Sequence, residues 1–346
     1  MKKSDKPKKN SKSKYGPSKS VKIDKEIAIS REKLDKLKKE IKKVVIGQEK
    51  VIDDLIICII CEGNALLEGV PGIAKTLIVK SLAHTIGCSA KRIQFTADLL
   101  PTDITGFMAY SREKGFFTVK GPVFANFVLA DEINRAPPKV QSALIEVMQE
   151  QQVTIGKETY KLDSPFVVLA TENPLENRGV YKLPEAQVDR FLFKIIVEYP
   201  STEEEQLIMD TNVSYKSFES YKLKKVISPK EIVKIQELVK QIYVNPKIKE
   251  YIANIVKYSR NFDKNPIKSV NKYVAWGASP RGSINIYLAS RANALVNGRS
   301  FVIPQDVKDV ADNVLRHRLL LNYQGQIDKV KTEDIIADIL SKVKVP

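Results

Sequence analysis

The chain has 346 residues, 43% of them hydrophobic and 28% charged, with a formal net charge of +16. That length is enough for two domains, each with its own core, and no internal repeat or collagen-like bias interrupts it. Three cysteines, an odd number, argue against a disulfide framework, and two histidines in all, His84 and His317, argue against histidine-based catalysis.

The charge is uneven. Residues 1–20 hold eight Lys and one Asp, and the first 43 residues carry +11 of the total, leaving +5 for the rest. Residues 1–25 therefore read as a disordered basic tail. Its charge suits RNA, DNA or an anionic membrane surface; a solubilising tail is the plain alternative. It lacks the hydrophobic segment of a signal peptide, and the longest charge-free apolar run, Leu55 to Cys61, is too short to span a bilayer. The expectation is a soluble cytoplasmic protein.

Glu26 to Lys43 reads as a charged amphipathic helix with Ile27, Leu34, Leu37 and Ile41 on one face. Val51 to Cys61 is an apolar helical stretch. Cys58 and Cys61 within it have metal-like spacing, but no second Cys or His pair exists, so they read as buried thiols packed as small hydrophobes.

A short apolar run, Ala65-Leu66-Leu67, then enters Gly69-Val70-Pro71-Gly72-Ile73-Ala74-Lys75-Thr76, and a helical stretch from Leu77 to Ile86 leaves it. Strand, glycine loop and helix in that order are what a phosphate-cradling loop requires. Its backbone N–H groups and the helix N-terminus would face the phosphates. Lys75 would reach the β and γ phosphates, and the Thr76 hydroxyl would bind Mg²⁺. Gly69, Pro71, Gly72, Ile73, Ala74, Lys75, Thr76 and Leu77 are thus the candidate nucleotide-contacting run. Ala74 replaces the usual glycine before the Lys, which is tolerable where the backbone is already helical.

Arg92 to Phe95 is the next expected strand. Phe107 to Val123 reads as a hairpin around Arg112-Glu113-Lys114-Gly115. Asn126 to Ala130 reads as a buried strand that delivers Asp131 and Glu132 to its C-terminal end. In a P-loop enzyme the first acid holds Mg²⁺ through water and the second polarises the attacking water. Gln152 to Leu162 reads as a second hairpin, turning at Gly156-Lys157. Phe166 to Ala170 is a further strand, and Asn173 just beyond it would sit beside the water and the γ-phosphate. Ligands bind outside the carboxyl ends of parallel strands, which gives Asn173 its weight.

Leu183-Pro184-Glu185-Ala186-Gln187-Val188-Asp189-Arg190-Phe191 precedes a strand from Leu192 to Val197. Strands alternating with helices imply a parallel, doubly wound α/β sheet. Ser201 to Ile227 is polar and reads as a connection. Helical patterns at 229–244, 246–262, 283–295 and 305–320 imply a small all-α lid. Ser279 and Pro280 suit the N-cap and N1 positions of a lid helix. That puts Arg281 in its first turn, where it can reach phosphate across the interdomain cleft.

Taken together, Gly-Val-Pro-Gly-Ile-Ala-Lys-Thr, Asp-Glu-Ile-Asn-Arg-Ala-Pro-Pro, Thr-Glu-Asn-Pro, Leu-Pro-Glu-Ala-Gln-Val-Asp-Arg-Phe and Gly-Ala-Ser-Pro-Arg closely resemble the MoxR family of AAA+ ATPases, from about Glu26 to Val343. Gly282, where many members have Ala, is a small departure. The resemblance implies an α/β AAA+ P-loop core with a helix-2 insert at 26–200, a linker at 201–228 and a helical lid at 229–346. It makes Lys75 and Thr76 Walker A, Asp131 and Glu132 Walker B, and Asn173 sensor 1. Arg190 becomes the arginine finger, with Arg178 and Arg135 as rivals, and Arg281 becomes sensor 2. Val45-Ile46-Gly47-Gln48 becomes the adenine-contacting segment, which adds Gly47 and Gln48 to the site. The two hairpins become the helix-2 insert and the pre-sensor hairpin, facing the pore or top of a ring; ordinary hairpins packed on the core are the alternative.

The function this implies is ATP hydrolysis with Mg²⁺ in a homo-oligomeric ring, a hexamer, coupled to chaperone-like remodelling of a protein client. A von Willebrand factor A domain protein is the implied partner. Three other readings fit parts of the sequence: a nucleic-acid motor or loader guided by the basic tail, a nucleotide-gated binding module, and a magnesium-chelatase-like motor subunit. Glu132 speaks against the second, because a pure binder needs no base.

Overall fold

The protein is described here by a computed structural model, which covers residues 17–69, 75–173, 179–211, 218–262 and 265–346. Helices α1 (Pro17–Ile41) and α2 (Glu49–Ile60) lead into β1 (Ala65–Glu68) and α3 (Lys75–Ile86). Then come β2 (Ala90–Gln94), the short α4 (Pro101–Thr105) and the hairpin β3 (Gly106–Ser111) and β4 (Gly115–Lys120). The chain continues through β5 (Phe127–Asp131), α5 (Pro138–Glu150), the hairpin β6 (Gln152–Ile155) and β7 (Glu158–Lys161), β8 (Val167–Glu172), the one-turn α6 (Glu185–Val188) and β9 (Phe193–Ile196).

Five strands form one sheet in the order β2-β5-β8-β1-β9, and every pairing is parallel. The central strands β1, β5 and β8 are almost wholly buried. Such continuous apolar runs suit strands covered on both faces. Their side chains alternate between two clusters, as period-2 geometry demands. Ala65, Leu67, Phe127, Leu129, Val167 and Leu169 face α2 and α3, whereas Leu66, Val128, Ala130, Val168 and Ala170 face α5. The edge strand β2 exposes Lys91 and Arg92, charges that discourage edge-to-edge pairing.

The two hairpins stack on one another. Thr118 Oγ1 and the Tyr160 hydroxyl lie 2.9 Å apart, and Lys120 lies over the rings of Phe124 and Tyr160. The first hairpin springs from a close backbone crossing. Gly106 has φ +100°, and a Cβ there would fall 2.2 Å from the carbonyl oxygen of Val119, so only glycine fits.

Helix α7 (Thr202–Thr211) begins the segment read as a polar connection; three glutamates in its first turn complement the helix dipole. The lid then comprises α8 (Pro229–Val239), α9 (Pro246–Tyr258), α10 (Lys268–Tyr273), β10 (Val274–Trp276), α11 (Pro280–Val296), α12 (Pro304–Leu315), β11 (Leu320–Leu321), α13 (Tyr323–Ile327) and α14 (Thr332–Lys342). Three of its helices, α8, α9 and α11, start where a side-chain cap precedes proline: Ser228 accepts from the Glu231 N–H, Asn245 from Lys247 and Ser279 from Arg281. The antiparallel ribbon β10–β11 is an addition to the all-α expectation.

Two further differences follow from α1. It starts at Pro17, nine residues before the expected Glu26. It also packs on α3 of the core and on α8 and α11 of the lid. One apolar cluster therefore runs from the sheet through Leu34, Leu37, Ile52 and Leu55 into Ile286 and Leu295, so the lid does not have the separate core that chain length alone implies. Lys33 reaches Glu231, and Glu40 accepts the Lys224 N–H at 3.0 Å; both tie α1 to the segment entering the lid. Among the described residues, no helix is long and apolar enough to cross a membrane.

Asp54 on α2 lies buried under this junction. Burial pushes its carboxyl up to about 6, against a hydrogen bond from Asn313 of α12 and the charges of Lys50 and Arg316. Its folded pKa exceeds the unfolded value of about 3.9, so its contribution to stability is fully present below that value and is lost as pH rises through about 6. Asp54→Asn is expected to stabilise the protein at pH 7.5 by roughly 1–2 kcal/mol and to leave stability near pH 4 unchanged. Urea denaturation at both pH values checks this, and an equal difference at both would contradict it.

Candidate nucleotide-binding site

The parallel strands β1, β8 and β5 lie side by side and end on one rim. Glu68 pairs with Glu172 across β1 and β8, Ala130 pairs with Ala170 across β5 and β8, and the Gly69 N–H reaches the Glu172 carbonyl. This brings Gly69, Asn173 and Asp131 to the same edge, with Lys75 and Thr76 opening α3 beside them. Pro71, Gly72, Ile73 and Ala74, and with them Val70, lie outside the described residues, as does Arg178. Leu77 follows in α3, packed partly against the core.

Lys75 Nζ donates to the Gly69 carbonyl at 2.6 Å, so the lysine folds back over the loop. Partial burial pulls its ammonium below the ordinary lysine range, while Asp131, Glu132 and Glu68 oppose that pull. A half-desolvated cation among carboxylates is a site poised for an anion that brings its own counter-cation.

Asp131 closes β5. Its Oδ1 accepts from Thr171 Oγ1 at 2.6 Å, and its Oδ2 accepts from Arg92 Nε at 2.9 Å and Nη2 at 2.6 Å. Glu132 follows in a left-handed conformation, φ 58° and ψ 53°, which is uncommon for a residue other than glycine. The Thr171 hydroxyl accepts the Glu132 N–H at 2.8 Å and so helps hold that turn. The Glu132 carboxylate accepts from Gln94 Nε2 at 2.8 Å and from Arg135 Nε at 3.1 Å. Strain of this kind gathers at functional sites because it aims a side chain where regular structure would not.

Sequence reasoning missed Thr171, Arg92 and Gln94. All three stand at or near the C-terminal ends of strands beside β5, and the order of the sheet was the one fact needed to find them. Arg135, a rival for the finger, is engaged with Glu132 of its own chain. Asn173 is nearly buried, on the rim between Gly69 and Asp131.

A second group of candidate site residues lies where the core meets the lid. Gly47 adopts φ +74°, and Gln48 donates to the Glu198 carbonyl at 2.9 Å, which fixes the α1–α2 loop over the end of β9. Gly47, Gln48, Ile195, Ile196, Asn313 and Arg316 help to line a cleft of about 900 Å³. A second cleft of about 710 Å³ includes Asn173, Lys194 and His317 in its wall, and Arg316 borders both. These volumes fall in the usual range of small-molecule sites. Arg281 projects from the start of α11, and its Nη1 lies 3.4 Å from Asp189 Oδ2. Arg190 follows α6 directly, and among the described residues no side chain pairs with its guanidinium.

The donor set suits magnesium. Thr76 and Asp131 are hard oxygen donors, and Mg²⁺ is typically held by one or two protein oxygens with phosphates and water completing the shell. Among the described residues no cluster of three or more His, Cys, Asp or Glu forms a dedicated metal cage, and a phosphate-shared ion needs none.

A strand β1 followed by helix α3 opening at Lys75, an acid pair at the end of β5 two strands away, and a helical lid bearing an arginine are the arrangement of an AAA-type nucleoside-triphosphatase fold. Residues 64–193 match the model of the "ATPase family associated with various cellular activities (AAA)", and residues 268–339 match that of the AAA lid domain. The chain is 46% identical over 309 residues to Chaperone MoxR1 of Mycobacterium tuberculosis, covering 89% of this chain and 81% of that protein. It is 41% identical over 314 residues to the uncharacterised protein YeaC of Bacillus subtilis, covering 90% and 95%. A crystal structure from Cytophaga hutchinsonii superposes with a TM-score of 0.88 at 44% identity, covering 95% of this chain and 99% of that one. The chain belongs to the MoxR family of AAA+ ATPases.

Proposed function

We propose that this protein hydrolyses ATP with Mg²⁺ as a homo-oligomeric ring, a hexamer, and uses the conformational change to remodel a protein client, with a von Willebrand factor A domain protein as partner. The observation that carries the reading is the gathering of Lys75, Asp131, Glu132 and Asn173 on one rim of the sheet.

In this reading the adenine lies in the cleft beside Gly47 and Gln48, and Lys75 holds the β and γ phosphates. Thr76 and Asp131 hold the metal, which when bound would neutralise charge on the phosphates. Glu132 takes a proton from the attacking water, Asn173 orients that water, and Arg281 senses the γ-phosphate from the lid. Arg190 completes the site of the neighbouring protomer. Exposed Phe107, Met108, Tyr110, Phe116 and Phe117 on the first hairpin support a client that is protein: the insert presents apolar side chains to solvent rather than to its own core.

Lys75→Ala tests the site. It is expected to weaken binding of a fluorescent ATP analogue by at least about 100-fold, the order expected when a charge-assisted phosphate contact is lost. Affinity within a fewfold of wild type would remove Lys75 from the phosphate site.

A further inference from the structure

Asp131 carries a cation of its own chain. Arg92 stands on the edge strand β2, which lies beside β5 with Arg92 level with Leu129 and Gln94 level with Asp131. Residues two apart on a strand share a face, so Arg92, Gln94 and Asp131 meet on one side of the sheet. The two donors of Arg92 that reach the acid, Nε at 2.9 Å and Nη2 at 2.6 Å, both go to Oδ2. Nη2 also donates to Gln94 Oε1, and Gln94 Nε2 donates onward to Glu132 at 2.8 Å. The other carboxylate oxygen, Oδ1, accepts from Thr171. A carboxylate offers about four lone-pair sites, and two bonds from Arg92 with one from Thr171 leave a single site, on Oδ1. The acid side chain is 15% exposed and the arginine 49%, so the pair is half-solvated and open to competition.

We propose that Arg92 sets how strongly Asp131 attracts a divalent ion, weakening the acid enough that metal is kept only together with phosphate. A guanidinium on Oδ2 cancels part of the charge that an Mg²⁺ ion held through Asp131 would feel. The same guanidinium lessens the repulsion between that carboxylate and a triphosphate, because an unpartnered acid beside the phosphates opposes their charge. Arg92 therefore acts in opposite directions on the two ligands: it loosens metal and eases phosphate. Arginine suits this task, since it stays charged and its planar fork can serve Asp131 and Gln94 at once. The role rests on the reading of Asp131 as the metal-holding acid. Arg92 is a positioning residue, touching neither metal nor nucleotide in this scheme.

The two opposed effects give a signature that simple damage does not. The affinity of the full-length chain for a fluorescent ATP analogue is measured once with Mg²⁺ and once with EDTA. The ratio of the two affinities is the contribution of the metal, and any loss that strikes both conditions alike cancels in it. In Arg92→Gln a neutral amide replaces the guanidinium. Binding in EDTA should weaken about fivefold, the upper end for a half-exposed pair, because two charge-assisted bonds meet on one oxygen. Binding with Mg²⁺ should stay close to wild type, so the ratio should rise about fivefold. Arg92→Lys restores the charge without the fork and should return the ratio to within about twofold of wild type.

Asp131→Asn is the control, since it removes the acid itself and should lower the ratio. A ratio raised in Arg92→Gln and restored in Arg92→Lys supports the role. A ratio at or below wild type in Arg92→Gln, with Asp131→Asn lowering it, overturns the role of Arg92 alone and leaves the arginine as a tie between β2 and β5. A wild-type ratio in Asp131→Asn overturns the metal reading of Asp131 and this role with it.

Discussion

Arg190→Ala is expected to bind ATP within about threefold of wild type and to lose roughly 10³- to 10⁵-fold in turnover, the usual contribution of an arginine finger to phosphoryl transfer. Among the described residues the Arg190 guanidinium has no side-chain partner, although it lies on a turn that Arg318 holds through Asp189 and Phe191. A cation presented on a fixed turn and left uncommitted is suited to act on a neighbouring molecule. Arg135, by contrast, lies against Glu132 in cis. Steady-state phosphate release from the three single variants decides the matter. If Arg178→Ala or Arg135→Ala shows loss of turnover with retained binding and Arg190→Ala does not, the finger lies elsewhere.

Glu132→Gln is expected to retain ATP and lose roughly 10²- to 10⁴-fold in turnover, the span that a positioned general base supplies. Glutamine keeps the length of the side chain and an oxygen to accept from Gln94, so the strained turn at the end of β5 should survive. What it loses is the charge that attracts the proton of the attacking water. Trapping of nucleotide by the variant, followed after removal of free ATP, measures retention and turnover together. Near-normal hydrolysis would exclude Glu132 as the base.

Much of this was legible in the sequence, for identifiable reasons. Strands β1, β5 and β8 are uninterrupted apolar runs because both faces of the sheet are covered, and such runs are hard to mistake. The hairpins announced themselves by alternation and by turn glycines, and α11 by Ser279-Pro280. Elements too short to carry a period were missed: α10, α13 and the β10–β11 ribbon. Helix α7 was hidden by its polarity, and the start of α1 by a lysine-rich segment without an apolar stripe. The residues that surround the acid pair were invisible for a different reason. Thr171 lies 40 residues from Asp131, Gln94 lies 38 from Glu132, and Arg318 lies 129 from Asp189, so only the assembled sheet and lid bring them together. A local pattern can name the acids and the lysine, because phosphate chemistry fixes their spacing. It cannot name the side chains that orient them.

If each active site is built from two protomers, inactive variants of the two contributing residues should complement one another. Glu132→Gln and Arg190→Ala chains, each inactive alone, would be mixed under assembling conditions and assayed for phosphate release. An interface in which one protomer supplies Glu132 and its neighbour supplies Arg190 has every group it needs, so the mixture is expected to recover activity that neither variant shows. A mixture as inactive as its components, from variants shown to co-assemble, would contradict a shared site.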